Sequence, residues 1–135
     1  MANALYTKFK ENLLAGLIDL DTNTIKAALV DGYTPALSTH ATIADVKSAG
    51  GTLVGTDQTL GSKTITNGAF TAAAVTWTAV AAGNTPDYVV VYQDGASDSV
   101  RYVIALVDTT TGVSLPVTTN GGNITLTWST NIFSL

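Results

Sequence analysis

The chain has 135 residues, ten acids against six bases for a net charge of −4, no cysteine, one histidine (His40) and one glutamate (Glu11). This composition excludes thiolate, disulfide and cysteine–zinc chemistry, and it nearly empties the stock of bases, nucleophiles and metal ligands that enzymes use. The bases Lys8, Lys10, Lys26, Lys47, Lys63 and Arg101 are scattered, so no nucleic-acid partner is expected, and the uncharged stretch Thr64–Pro86 is too punctuated by Thr, Gly and Asn to cross a membrane.

Met1-Ala2-Asn3 carries neither the basic nor the long apolar run of a secretory leader. Asn3 reads as an N-cap, and Leu5, Phe9, Leu13 and Leu17 follow at intervals of four, one stripe of a helix whose other side carries Lys8, Glu11 and Asn12. Gly16 fits the left-handed position just past a helix end. The helix is therefore expected over 3–16. Thr24–Val30 (TIKAALV) reads as a strand closed by the turn pair Asp31-Gly32. From Tyr33 to Gly51 the pattern is irregular, with room for one helical turn at Thr42–Lys47, and a long loop is expected over 33–51.

The remainder reads as strand after strand. Gly51–Val54 and Ser62–Thr66 are short strands, and Asn67-Gly68 is a hairpin signal leading into Ala69–Ala72. Val75, Trp77 and Ala79 alternate with Thr76, Thr78 and Val80, and Gly83–Pro86 then breaks the chain. Asp87–Gln93 and Val100–Asp108, rich in β-branched and aromatic residues, flank the polar loop Asp94–Ser99. A tight connection is expected over Thr109–Gly112, and strands over Ser114–Thr118, Asn123–Ser129 and Asn131–Leu135, with Asn120–Gly122 as a turn. Strands at this spacing predict a single mainly β domain over 1–135, a jelly-roll-like β-sandwich over 24–135 with one N-terminal α-helix. Phe9, Leu13, Trp77, Val89, Val91, Val103, Leu106 and Trp128 are its expected core.

Each motif that hints at chemistry falls short. Asp19-x-Asp21-x-Asn23 opens like a calcium loop, but Thr24 and Val30 stand where the glycine and the bidentate glutamate belong. Asp94 and Asp98 flank a loop glycine, which turn chemistry explains without a ligand. His40 has no second histidine or cysteine with which to share a metal, and no nucleophile elbow accompanies it. In Gly55–Thr64 (GTDQTLGSKT), Ser62 separates Gly61 from Lys63, so no phosphate loop is built. Asn123-Ile124-Thr125 matches a glycosylation sequon, but Ile124 is expected mid-strand. Tyr88, Tyr92 and Tyr102 have the spacing of a stacking platform on one sheet face, although buried rings with bonded hydroxyls are the commoner use. No catalytic, cofactor-binding or metal-binding residue is expected, and no enzyme activity. Only 12% of residues are charged, against about 25% in an ordinary domain. A surface of Thr, Ser, Ala and Asn loses little on desolvation and suits a protein packed against neighbours.

The two ends of the chain carry a resemblance. Met1-Ala2-Asn3-Ala4-Leu5-Tyr6, Ile18-Asp19, Thr24–Asp31 and the Thr39-His40 loop resemble small virion proteins of tailed bacteriophages. So do Asp108-Thr109 with Gly112, Leu115–Thr118 and Asn120–Trp128, although Leu20 replaces an aromatic residue. The resemblance implies a capsid cement (decoration) protein that binds the outer capsid surface and joins capsomers. Its implied partners are the major capsid protein and further copies of itself. Its place would be the capsid exterior after synthesis in the bacterial host cytoplasm. The family implies no catalytic residue and no cofactor. Two alternatives remain open from the residues: a tail, neck or head-fibre component, and a carbohydrate-binding adhesion module.

Overall fold

A computed structural model of the chain describes residues 3–108, 110, 114–128 and 130–135. Over these residues the fold is mainly β, with two short α-helices and three antiparallel sheets. Asn3 caps no helix. Ala4–Leu5 (β1) instead pairs antiparallel with Val103–Val107 (β8), Ala4 opposite Leu106, and the Asn3 side-chain oxygen accepts the Asp108 N–H at 2.9 Å. Two paired residues are too few to show a strand's period of two, so a helical reading absorbs them.

The helix proper, Thr7–Leu14 (α1), starts after Tyr6, and the Leu37 carbonyl takes its first N–H in place of a side-chain cap. Its end is the expected one. Gly16 has φ +76°, its N–H bonds the Leu13 carbonyl, and the Leu17 N–H bonds the Asn12 carbonyl, the paired closure of a Schellman turn. That turn carries Leu17 off the helical stripe and leaves it exposed, which the interval of four did not predict.

The main sheet has the order β1–β8–Tyr88–Gln93 (β7)–Ile25–Asp31 (β2)–Thr52–Thr59 (β3). Val89–Gln93 and Val103–Val107 are buried without alternation, so this sheet is covered on both faces and its central strands read as continuous apolar runs. β3 outruns the expected Gly51–Val54. Gly55, at φ +73°, sits where the register slips between Ala27–Gln58 and Leu29–Val54, and the strand continues past that bulge.

The stretch 33–51 is not a loose loop. Thr42 and Asp45 form a capping box at the start of Ile43–Ser48 (α2), and Ile43 and Val46 are buried. A β-carbon at Gly51 would fall 2.7 Å from the Val46 carbonyl oxygen and 3.1 Å from Val30 Cγ1, so glycine lets α2 lie close against β2.

The small sheets follow the turn chemistry. Thr64–Thr66 (β4) and Ala69–Thr71 (β5) form the expected hairpin, with Asn67 at φ +51° and Gly68 at φ +79°. Phe133–Ser134 (β10) pairs on the other side of β5, Phe133 opposite Phe70. Val75–Trp77 (β6) pairs with Ile124–Leu126 (β9), Trp77 opposite Ile124.

Several expected strands are shorter or missing, β4, β9 and β10 among them. β6 stops before Ala79, whose φ of +49° breaks the alternation, and β8 starts late because Asp98–Val100 winds into one 3-10 turn. Ser114–Thr118 forms no strand of its own, and Pro116 has no N–H to give a ladder. The turn expected over 109–112 lies, apart from Thr110, outside the described residues, as does Ser129.

One contiguous core joins these layers. Phe9, Trp77, Val89, Val91, Val103, Leu106 and Trp128 are buried as expected, whereas Leu13 is only half-buried. The Trp128 indole N–H donates to the Ala73 carbonyl at 3.2 Å. Among the described residues no helix is long and apolar enough to cross a membrane.

Candidate functional site

The residues that hinted at chemistry are held in structural contacts. One Asp19 carboxylate oxygen accepts the N–H groups of Asp21 and Thr22, each at 3.0 Å, and the other accepts the Thr22 hydroxyl. The Thr22 hydroxyl leads these bonds in holding the Asp19 carboxyl below the usual range. The turn is docked on Gln93, a buried polar residue with no warning in the sequence. Its Oε1 accepts the Asp19 N–H at 2.9 Å and the Asn23 amide at 3.2 Å, and its Nε2 donates to the Leu17 carbonyl at 3.0 Å. Among the described residues no group of three or more His, Cys, Asp or Glu is placed to hold a metal ion.

His40 Nδ1 lies 3.3 Å from the Ala36 N–H and 2.7 Å from the Tyr33 hydroxyl, which lies 3.0 Å from the Tyr6 hydroxyl. With Nδ1 accepting from Ala36, the protons run from Tyr6 to Tyr33 to His40. This chain fastens the 33–40 segment to the start of α1, and burial pushes the Tyr6 hydroxyl pKa up. No serine hydroxyl joins it among the described hydrogen bonds.

The three tyrosines do not assemble a stacking platform. Tyr92 is buried and its hydroxyl donates to Asp57 at 2.5 Å. Tyr88 stands edge-on to Tyr33 at 6.1 Å, and Tyr102 is half-buried in a bridge to Thr42.

Asp94 and Asp98 belong to a compensated charge cluster. Asp94 pairs with Lys26 at 3.1 Å and with Arg101 at 3.0 Å, and Asp98 pairs with Arg101 at 2.7 Å and with Lys47 at 2.6 Å. The Lys47 and Arg101 hydrogen bonds hold Asp98 below the usual carboxyl range. Burial pushes Asp94 up, but bonds from Lys26, the Gly95 N–H and Arg101 outweigh it and hold Asp94 low as well. Asp57 is the opposite case: burial dominates, and its pKa is raised despite the Tyr92 hydroxyl and the nearby Lys26, Lys47 and Arg101. Three cations thus pair with two carboxylates, with Asp57 close by, and half of the chain's six bases are engaged there.

The uncompensated surface is apolar. Leu14 is 89% exposed, Leu135 68%, Ile65 53% and Leu17 49%, four of the five exposed large apolar side chains among the described residues. Ile65 and Leu135 line a groove of about 440 Å³, one wall of which is Leu13 of α1 and Gly16 of the turn after it, and Leu14 and Leu17 adjoin that wall in the chain. Phe70 and Phe133 form its floor, rings 5.5 Å apart, and Phe133 meets Phe9 edge-on at 5.2 Å beneath. Asp19 and Asp21 stand on the rim.

Local sequence builds each wall. The Schellman turn swings Leu17 outward and sends Ile18 and Leu20 inward. The Asn67-Gly68 turn presents β4, all three of whose residues are exposed, and the Leu135 N–H bonds the Gly68 carbonyl at 2.9 Å, laying the C-terminus along the hairpin. In the C-terminal stretch 131–135 Leu135 is exposed, whereas Ile132 and Phe133 are buried. Leu14 and Ile65 were not foreseen. The available signals were a leucine one position off the helical stripe and an isoleucine between two threonines beside a hairpin turn.

Compared with known protein families, with curated proteins and with solved structures, the chain matches none.

Proposed function

We propose that this chain is a structural subunit of a tailed-phage virion, a capsid cement protein that binds the outer capsid surface and ties neighbouring capsomers together. The observation that carries the reading is the pairing of an internally neutralised charge cluster with an open apolar groove, which favours contact over reaction. Apolar patches left open on a small protein mark interaction sites. The resemblance of both chain ends to phage virion proteins supplies the kind of partner, the major capsid protein. In this reading the β-rich scaffold is a jelly-roll-like sandwich, the protein is made in the host cytoplasm and resides on the virion exterior. Engagement of several capsid sites at once raises avidity by roughly 10²–10⁴ over a single weak contact.

Heads assembled without the protein are expected to form but to rupture sooner under heat or osmotic shock, and adding the purified chain back is expected to restore them. Undecorated heads as durable as decorated ones would remove the cement reading, and electron cryomicroscopy of whole particles would then locate the chain on the tail, neck or fibres.

A further inference from the structure

One charge left over after the internal pairing stands on the rim of the groove, and another lies on the helix that walls it. Of the six bases, Lys26, Lys47 and Arg101 are in the cluster, Lys8 pairs with Glu11 at 2.7 Å, and Lys63 donates to the Asn23 carbonyl at 2.6 Å. Lys10 alone has no ion-pair or hydrogen-bond partner among the described residues, and it is exposed. Asp21 is its counterpart: its N–H is bonded to Asp19, but its own carboxylate accepts nothing among the described residues. Lys10 lies one helical turn before Leu14, so the free cation and the most exposed leucine share one face of α1. Asp21 stands on the rim of the groove.

A surface that carries a knob beside a hole, and a cation beside an anion, is complementary to itself under a twofold rotation. We infer that two copies of this chain associate isologously, Leu14 of each entering the apolar groove of the other and Lys10 of each facing the other's Asp21. The inference rests on the assembly reading above and names a partner for its groove, a second copy. It accounts for three features together: the exposure of Leu14, the open groove, and the unpaired state of Lys10 and Asp21. The interface is mostly apolar with two flanking ion pairs, so burial supplies the affinity and the ion pairs fix the rotation.

Sedimentation equilibrium of the full chain tests this directly. Wild type is expected to be a dimer at micromolar to tens-of-micromolar concentration, and Leu14→Glu, at a site too exposed to affect folding, is expected to be monomeric with an unchanged melting curve. Lys10→Glu and Asp21→Lys each break both symmetric pairs and set like charges together, weakening the dimer by about tenfold. The double variant Lys10→Glu/Asp21→Lys restores the pairs and is expected to return to within about threefold of wild type. A monomeric wild type, a dimer that survives Leu14→Glu, or a charge swap that fails to rescue would each overturn the inference. Head binding separates it from the reading on which it rests. Monomeric Leu14→Glu that still binds heads, with lower avidity, leaves the cement reading standing, whereas a wild-type dimer that ignores heads removes the cement reading and leaves the dimer.

Discussion

The charge cluster around Arg101 and the groove between α1 and the β4–β5 hairpin show two ways in which a folded chain treats costly groups. In the cluster, Lys26, Lys47 and Arg101 pair with Asp94 and Asp98, so every cation there has a partner inside the molecule, and Asp57, bonded to Tyr92, lies nearby. In the groove, Ile65 and Leu135 are exposed, and Leu14 and Leu17, next in the chain to its Leu13 and Gly16 wall, are exposed as well. The cluster is closed and the groove is open. A partner has little to gain from the first and much from the second, because exposed ion pairs contribute weakly while apolar area returns about 25 cal/mol per Å² buried.

Variants that separate floor from rim sharpen this contrast most. Phe133→Ala removes a ring packed on both Phe9 and Phe70 and is expected to cost about 3–5 kcal/mol in urea unfolding. A loss under about 1 kcal/mol would mean that the floor is not part of the core. Trp128→Ala belongs to the same class, since that indole is buried and bonded to Ala73.

The cluster predicts smaller effects with a definite dependence on pH. Arg101→Ala breaks two pairs on a side chain about one third exposed, and after allowance for solvent screening the expected cost is about 1 kcal/mol at neutral pH. Asp94 and Asp98 have folded-state pKa values below their unfolded ones. Their contribution is therefore complete above about pH 4 and is lost as pH falls through the lower folded values. The stability gap between wild type and Arg101→Ala is expected to narrow steadily on acidification, and a gap that widened instead would contradict the assignment of the pairs.

Asp57→Asn carries the opposite sign. Because the Asp57 pKa is raised by burial, its ionised form weakens the fold at neutral pH and the penalty vanishes once the carboxyl is protonated. The amide oxygen still accepts from Tyr92, so the variant is expected to melt at the wild-type temperature or slightly above it at pH 7, and to lose any advantage in acid. The smallest effect belongs to the groove's edge: Leu14→Ala is expected to leave unfolding within about 0.5 kcal/mol of wild type while weakening association.

How legible these regions were in the sequence differs for a physical reason. Strands buried on both faces announce themselves as unbroken Val and Ile runs, and the Asn67-Gly68 and Gly16 positions follow from which residues tolerate positive φ, so β2, β7, β8, the hairpin and the end of α1 were readable. Elements set by single contacts were not. β1 is two residues long and the bulge at Gly55 depends on its partner strand, whereas α2 follows the helical turn for which Thr42–Lys47 had room. The same limit hid the sites. Asp94 and Asp98 looked like a loop pair because Lys26 and Lys47 are distant in sequence, and the tyrosine platform failed because the main sheet is covered where Tyr92 sits. Leu14 looked ordinary because exposure is a property of the folded surface.

The central claim, that this protein makes its contacts through apolar surface and keeps its charges to itself, is tested most directly by sedimentation of the full chain across ionic strength. Raising salt from about 0.05 M to about 0.5 M shortens the screening length severalfold, so an association held by charge weakens steeply while one held by the groove persists. The account predicts a dimer whose dissociation constant shifts by less than about tenfold over that range, the modest change belonging to Lys10 and Asp21. Complete dissociation at high salt would contradict it.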